Sequence, residues 1–207
     1  MRIQDIMHYP VVTAEPDMLL TAAYRLMQEH DIRHLPVLKN DRLVGIVTDR
    51  DLRFLTRRLD TTPFNPEDRV DHLMTAYPIT AGPFDPVEEA ARLMRERKIG
   101  CLPILDRDTL VGIVTVTDLL DAIIDLTGAE KPSGRLSIAL DDTPGLIARV
   151  TAFMAEHNVH IHSVLTYPGE DKTRLILRVG TLNTHALADA LREKGFDVIW
   201  PTQMPDV

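Results

Sequence analysis

GIVTDRDL at residues 45–52 and GIVTVTDL at residues 112–119 are the two stretches that decide the fold of this chain. Six of their eight letters are identical, and the shared letters include a threonine followed three residues later by an aspartate. An apolar run that ends in Thr-x-x-Asp predicts a strand followed at once by a helix, because the two side chains can cap its first turn. The same junction presents backbone N–H groups to an anion, so the pair can cap a helix, hold a ligand, or do both.

The two stretches belong to a longer internal repeat with an offset of 67 residues. Further pairs at this spacing are Met7 and Met74, Thr13 and Thr80, Pro16 and Pro83, Met27 and Met94, Ile32 and Ile99, Pro36 and Pro103, and Gly45 and Gly112. A constant offset over such a length indicates two copies of one structural unit.

Each copy predicts the order β-α-β-β-α. A short extended piece ends near Thr13 or Thr80, and an amphipathic helix follows. In the first copy the apolar side of that helix is Leu19, Ala22, Ala23, Leu26 and Met27, and in the second copy Asp85 is expected to be the N-cap. Two strands come next, Leu35–Leu38 with Leu43–Thr48 and Leu102–Leu105 with Leu110–Thr115, the first pair joined by Asn40-Asp41. The last helix of each copy begins at Thr48 or Thr115.

The pattern changes after the break GAEKPSG at 128–134. Strands are expected at Arg135–Leu140, Val159–Tyr167, Arg174–Val179 and Phe196–Trp200, with helices at 147–154 and Ala186–Lys194. This β-α-β-β-α-β order is typical of the ferredoxin-like arrangement. We therefore predict an α+β protein with domains at 1–60, 68–128 and 135–205, the first two separated by the polar, Pro-rich segment 60–69.

Composition and charge narrow the function classes. The 207 residues carry 23 Lys and Arg against 31 Asp and Glu, a net charge of −8, which disfavours binding to a nucleic-acid backbone. No apolar run approaches the roughly 18 residues that a membrane helix needs. A single cysteine, Cys101, favours a reducing compartment, so we expect a cytoplasmic protein with no nucleic-acid or membrane partner. The basic group Arg50, Arg53, Arg57 and Arg58 is interpreted as a solvated helix face.

Residues 1–127 resemble a tandem pair of CBS domains, because Leu-Pro before a hairpin and Gly-Ile-Val-Thr-x-x-Asp-Leu after it occur twice in order. Residues from Leu136 to about Pro201 resemble an ACT domain, with an Asp-x-Pro-Gly loop between first strand and first helix. Two CBS domains followed by one ACT domain resemble the acetoin-utilisation AcuB-type proteins. The resemblance implies a homodimeric regulatory protein, in acetoin or central carbon metabolism, that acts on a protein partner the residues do not identify.

The resemblance also implies that an adenine nucleotide or related adenosyl compound is the regulatory ligand, with no other cofactor. Asp51 and Asp118 would accept hydrogen bonds from the ribose hydroxyls, since a carboxylate accepts from several donors. Thr48 and Thr115 would offer hydroxyls near the ribose or phosphate. Other positions that match the family pattern are Thr13, Leu35, Pro36, Arg50, Thr80, Leu102, Pro103 and Thr117.

The copies differ before the Leu-Pro pair, where the first has Arg33-His34 and the second has Gly100-Cys101. An arginine binds phosphate through two parallel hydrogen bonds. We therefore expect the first copy to contact a phosphorylated nucleotide, and the second to take a less charged adenosyl ligand or none.

For the C-terminal domain, the resemblance implies an amino-acid ligand at a dimer interface. The residues concerned are Asp142, Thr143, Gly145, Leu146, Ile147 and His160. His160 stands where members that bind amino acids often carry asparagine, so dimerisation alone is the alternative role.

Three other interpretations bear on chemistry. His157, His160 and His162 lack a further acidic or cysteine ligand at a familiar spacing, so no metal site is expected. Cys101 has no neighbouring base, which favours a packed thiol over a nucleophile. No catalytic motif is present, so an enzyme, for example of the acetoin pathway, is less favoured than a sensor, and a scaffold with vestigial pockets is the other alternative.

Overall fold

The computed structural model describes residues 1–53, 65, 67–141 and 143–203. One compact unit spans Met1–Ala122 and a second spans Ile123–Val207. Most of the predicted polar segment 60–69 lies outside the described residues, as do Arg57, Arg58 and Asp142. In the described part of the chain, no helix is long and apolar enough to cross a membrane.

The first unit contains both copies of the repeat. The elements of the first copy are α1 (Leu20–Glu29), β1 (His34–Lys39), β2 (Arg42–Thr48) and α2 (Asp49–Arg53). Those of the second are β3 (Thr75–Ala76), α3 (Val87–Arg97), β4 (Cys101–Asp106), β5 (Thr109–Thr115) and α4 (Val116–Thr127). The predicted helix-hairpin-helix order is therefore confirmed in each copy.

The two hairpins have the same register at the 67-residue offset. Leu38 pairs with Leu43 in one and Leu105 with Leu110 in the other, each just after a bulge. Asn40 and Asp41 both have positive φ, 51° and 61°, which a two-residue hairpin turn of this kind requires. The predicted turn at Asn40-Asp41 is confirmed.

The first extended piece of each copy ends in an isolated parallel bridge, Ala14 to Val37 in the first copy and Ala81 to Ile104 in the second. The helix cap predicted at Asp85 is wrong, because α3 has Pro86 as its N-cap. Pro86 lacks an N–H, and the Asp85 carboxylate instead accepts a hydrogen bond from the Gly82 N–H at 2.8 Å and closes the preceding turn.

A segment exchange joins the copies. The short 3-10 helix Ile3–Asp5, at the start of the first copy, contributes the fully buried Ile3 to the core of the second copy. Its counterpart Val70–His72 contributes Val70 to the core of the first. Each core therefore depends on a segment from the other copy, and burying one such side chain stabilises the fold by about 1.5–3 kcal/mol.

Gly45 and Gly112 make room for these exchanged segments. A Cβ added at Gly45 would overlap the sulfur of Met74, and one at Gly112 would overlap the sulfur of Met7. Both glycines lie in the middle of buried strand segments, so they serve close packing and do not begin a phosphate-binding loop.

The second unit is an antiparallel four-stranded sheet with the order β7-β8-β6-β9. Its strands are β6 (Gly134–Leu140), β7 (Ile161–Pro168), β8 (Thr173–Val179) and β9 (Asp197–Trp200), and its helices are α5 (Leu146–Glu156) and α6 (Thr184–Glu193). Apolar residues of both helices and of strands β6, β8 and β9 form one core. This is the predicted β-α-β-β-α-β order, although β7 begins at Ile161, two residues later than expected.

Candidate functional site

Thr48 and Asp51 form a reciprocal capping box at the junction of β2 and α2. The Thr48 N–H donates to Asp51 Oδ2 at 2.9 Å, and the Asp51 N–H donates to Thr48 Oγ1 at 3.3 Å. The Thr48 hydroxyl also donates to Asp51 Oδ2, at 2.6 Å. None of these three bonds involves Asp51 Oδ1, and that oxygen accepts no hydrogen bond from any of the described residues.

A cleft of about 530 Å³ opens at this capping box, within the size range of small-molecule sites. Residues of both copies line it, namely His34, Ile46, Thr48, Asp49, Arg50, Asp51, Thr75, Tyr77, Pro78, Ile79, Lys98, Ile99, Gly100, Cys101 and Pro103. Two half-buried carboxylates, two threonine hydroxyls, two cations and an exposed aromatic ring therefore converge on one concave surface.

The two cations come from different elements. Arg50 is exposed in the first turn of α2, and Lys98 ends α3 with a left-handed backbone, φ 55°. Both side chains are cationic, and an arginine can bind a phosphate through two parallel hydrogen bonds. The cleft therefore has the side chains to bind a phosphate at its rim.

Tyr77 supplies the aromatic ring. Its backbone N–H donates to the Val44 carbonyl at 3.1 Å, while its side chain is 89% exposed. An exposed aromatic ring at the edge of a cleft can stack on a planar heterocycle.

His34 is packed against the second copy at Gly100, where an added Cβ would lie 2.9 Å from His34 Nε2. Burial lowers the pKa of His34, and nearby Arg33 lowers it further, against the opposing influence of Asp49 and Asp51. The imidazole is therefore neutral at pH 7 and can both donate and accept a hydrogen bond.

Cys101 lies in the same wall of the cleft and is a free, buried cysteine. Burial raises the pKa of its thiol to about 12. A protonated thiol is a poor nucleophile, so the prediction of a packed Cys101 is confirmed.

The cleft gathers part of the predicted set. Seven predicted residues line it: His34, Thr48, Arg50, Asp51, Gly100, Cys101 and Pro103. The others lie outside its described lining: Thr13, Arg33, Leu35, Pro36, Thr80, Leu102, Thr115, Thr117 and Asp118. Leu35 and Leu102 have fully buried side chains, so only their backbone is available to a ligand. Arg33, which was predicted to contact a phosphate, is not in this lining, whereas Arg50 and Lys98 are.

Eight lining residues were not among those predicted from the sequence: Ile46, Asp49, Thr75, Tyr77, Pro78, Ile79, Lys98 and Ile99. Six of them belong to the second copy, because β3 of the second copy pairs with β2 of the first. The repeat offset could not reveal this pairing, since it identifies equivalent segments and not the copy that each segment packs against.

The equivalent junction in the second copy has a different hydrogen-bond pattern. Asp118 Oδ2 accepts from the Thr115 N–H at 2.6 Å and from the Thr115 hydroxyl at 2.8 Å. Asp118 Oδ1 is bonded to His8 Nε2 at 2.7 Å. Because an ionised carboxylate only accepts, the imidazole N–H is the donor, and both oxygens of Asp118 are engaged.

The residues predicted to bind an amino acid in the second unit lie in two segments, 142–147 before and at the start of α5, and His160 before β7. Gly145 is the N-cap of α5 with φ 90°, and Thr143 and Ile147 are exposed near it. Leu146 packs partly against the core. His160 instead lines a separate depression of about 400 Å³ with Thr151, Met154, Ala155, Asn158, Val159 and Ile161.

His160, just before β7, and His162, on β7, both lie close to Gly180. His157 is occupied elsewhere, since its ring stacks on Phe153 at 4.0 Å and its Nδ1 bonds to the Phe153 carbonyl at 2.8 Å. Among the described residues, no three His, Cys, Asp or Glu side chains are grouped to hold a metal ion.

Comparison with known proteins agrees with the geometry of the first unit. The CBS domain family model matches residues 3–56 and 70–125, so the chain belongs to the CBS domain family and carries a pair of these domains. Both matched ranges precede the C-terminal sheet, whose relation to the ACT family stays a prediction.

Among curated relatives, a CBS domain-containing protein of Dictyostelium discoideum is 39% identical over 63% of this chain and 96% of its own length. Inosine-5'-monophosphate dehydrogenase of Korarchaeum cryptofilum is 32% identical over 78% of this chain, which spans only 32% of that enzyme. The likeness to that enzyme is thus a likeness to its CBS part.

Solved structures give the same result. The CBS domain pair of protein MJ0100, in complex with 5'-methylthioadenosine and S-adenosyl-L-methionine, is 28% identical with a TM-score of 0.54, over 63% of this chain and 98% of that one. CBSX2 in complex with AMP is 28% identical with a TM-score of 0.54, over 59% and 96%. An AcuB protein of Vibrio cholerae, assigned to acetoin utilization, is 31% identical with a TM-score of 0.52, over 64% and 98%.

Proposed function

We propose that this protein is a regulatory sensor that binds an adenine nucleotide in the cleft at Asp51. The observation that carries the proposal is the Asp51 carboxylate, which keeps one oxygen outside its capping box and faces a cleft that also holds Tyr77 and Arg50. The ribose diol would donate to Asp51, the adenine would stack near Tyr77, and the phosphate would meet Arg50 and Lys98. Homologous CBS pairs that bind AMP, methylthioadenosine and S-adenosylmethionine support this choice of ligand.

The proposal is tested by calorimetric titration of AMP, ATP and S-adenosylmethionine into the full chain and into Asp51→Ala. Hydrogen bonds to a charged group are worth about 1.5–3 kcal/mol, so the variant should bind about ten- to a hundredfold more weakly. Asp125→Ala, at an exposed helical position that is not part of the lining of the cleft, is the matched control. Equal affinity in Asp51→Ala and the control would contradict the proposal.

The phosphate position is tested by comparing two arginines. Arg50 lines the cleft, and Arg33, the sequence-based candidate, lies outside its described lining. Arg50→Ala should weaken AMP binding about tenfold and leave adenosine binding unchanged, because only the phosphate contact is lost. A larger loss in Arg33→Ala than in Arg50→Ala would return the role to Arg33.

We assign the second unit to dimerisation or amino-acid sensing as an ACT domain, on the support of its β-α-β-β-α-β order and antiparallel sheet. A role in acetoin or central carbon metabolism is supported only by the likeness to the Vibrio cholerae AcuB protein. A ligand can regulate only if its affinity differs between two arrangements of the protein. Sedimentation of the chain with and without AMP tests whether assembly is the arrangement that changes.

A scaffold role without ligand sensing is the second candidate, and the engaged Asp118 carboxylate favours it for one of the two sites. Mass spectrometry of small molecules retained after native purification separates the two. A retained adenosyl compound supports the sensor, whereas titrations that show no nucleotide binding support the scaffold.

A further inference from the structure

His8 and Thr75 occupy equivalent backbone positions. They are related by the 67-residue offset, and each pairs with an isoleucine of the strand that precedes the Thr-x-x-Asp motif. The His8 N–H donates to the Ile113 carbonyl at 2.9 Å and the Ile113 N–H donates back at 3.2 Å. Thr75 is paired with Ile46 in the same antiparallel manner. The two residues therefore have the same backbone pairing and differ only in their side chains.

This difference in side chain decides whether the aspartate of the Thr-x-x-Asp motif is hydrogen-bonded on one oxygen or on both. In the first copy, Thr75 lines the cleft beside Asp51. In the second copy, the His8 ring reaches Asp118 at 2.7 Å and completes the hydrogen bonding of an aspartate whose side chain is only 9% exposed. The imidazole itself is 68% exposed, so it closes the carboxylate from the solvent side, where a ligand would approach.

We propose that His8 closes the second adenosyl site and sets the stoichiometry at one nucleotide per chain. The inference rests on the proposed function, since it assumes that Asp51 binds a ribose diol. A ribose can reach Asp118 only after the His8–Asp118 hydrogen bond breaks. Because hydrogen bonds to charged groups are the strong ones, the second site should bind at least about tenfold more weakly than the first.

The test is calorimetric titration of AMP into the full chain and three variants. The wild type should bind one AMP, and His8→Thr, which copies the first site, should bind two. The double variant His8→Thr/Asp118→Ala should return to one. The mirror variant Thr75→His should lose the first site, because it gives that site the closing residue of the second.

The outcomes distinguish the two proposals. A wild type that binds two AMP molecules with similar affinity overturns the closure by His8, as does a His8→Thr variant that still binds one. His8→Ala provides a second opening variant if His8→Thr does not fold. Absence of binding to the wild type overturns the proposed first site and the stoichiometry of one. Closure of the second site by His8 is then supported if His8→Thr binds AMP and overturned if it does not.

Discussion

His34 is a residue of the cleft whose charge near neutral pH depends on burial. Its imidazole lies between the two copies, against Gly100, where a charged form would lose hydration. Its position in the lining beside Asp51 makes it a neutral hydrogen-bonding group toward any ligand at neutral pH.

The lowered pKa of His34 predicts a pH dependence of stability. The unfolded chain takes up this proton near the ordinary value of 6.5, and the folded chain takes it up at a lower pH. Between those values the unfolded state binds more protons, so the free energy of unfolding should fall as the pH is lowered from about 6.5. Urea unfolding from pH 7.5 to 5 measures the slope.

The matched variant for this prediction is His34→Gln, which keeps a neutral polar side chain and cannot be protonated. Its unfolding free energy should fall less steeply over the same pH range. Identical slopes for wild type and variant would show that burial does not hold His34 neutral.

At the residue scale, the sequence predicted the Thr-x-x-Asp capping box, which follows from spacing within one turn of the chain. The position of Thr48 and Asp51 in the wall of a cleft agrees with the roles that the resemblance to CBS domains implied. The bond between His8 and Asp118 was not predictable in this way, because 110 residues separate the partners. Only the folded pairing of His8 with β5 brings them together.

At the scale of elements, the exchanged 3-10 helices explain why the repeat conserves a glycine and a methionine together. Met74 fills the space above Gly45, and Met7 fills the space above Gly112. The sequence showed these pairs at the same offset, but it did not show that each methionine packs against the glycine of the other copy. Local periodicity predicts elements, whereas it carries no information about which copy a segment joins.

Gly45→Ala tests this packing. The new methyl group would overlap the side chain of Met74, and overpacking of this kind costs about 1–3 kcal/mol. Gly82→Ala is the control, since its nearest atoms lie 3.5 Å away and its unfolding free energy should change by less than about 0.5 kcal/mol. Equal denaturant midpoints for the two variants would contradict the packing argument.

For the whole molecule, α4 is the helix that indicates association. One side is buried through Asp118, Leu119 and Ala122, and a neighbouring stripe is exposed and apolar. Its members are Val116, Leu120, Ile123 and Leu126. A contiguous exposed apolar stripe of this kind is typical of an interaction surface, which favours the homodimer implied by the resemblance, with a second copy of this chain on the stripe.

Leu120→Glu should therefore shift the chain toward the monomer, because a charge placed in an apolar interface must be desolvated. Leu182→Glu is the matched control at a leucine that is 77% exposed and outside the stripe. Sedimentation velocity over a range of concentrations measures the shift. If both variants sediment like the wild type, the stripe does not mediate association.

The exchanged segments also bear on how such a chain could arise and be divided. A single repeat produced alone would carry Ile3 with no core to enter and would lack the Val70 that completes its own. Two identical repeats on separate chains could complete each other, so the smallest self-sufficient unit is a reciprocal pair of repeats. Within one chain the two members of the pair need not be identical, and His8 and Thr75 are equivalent positions at which they differ.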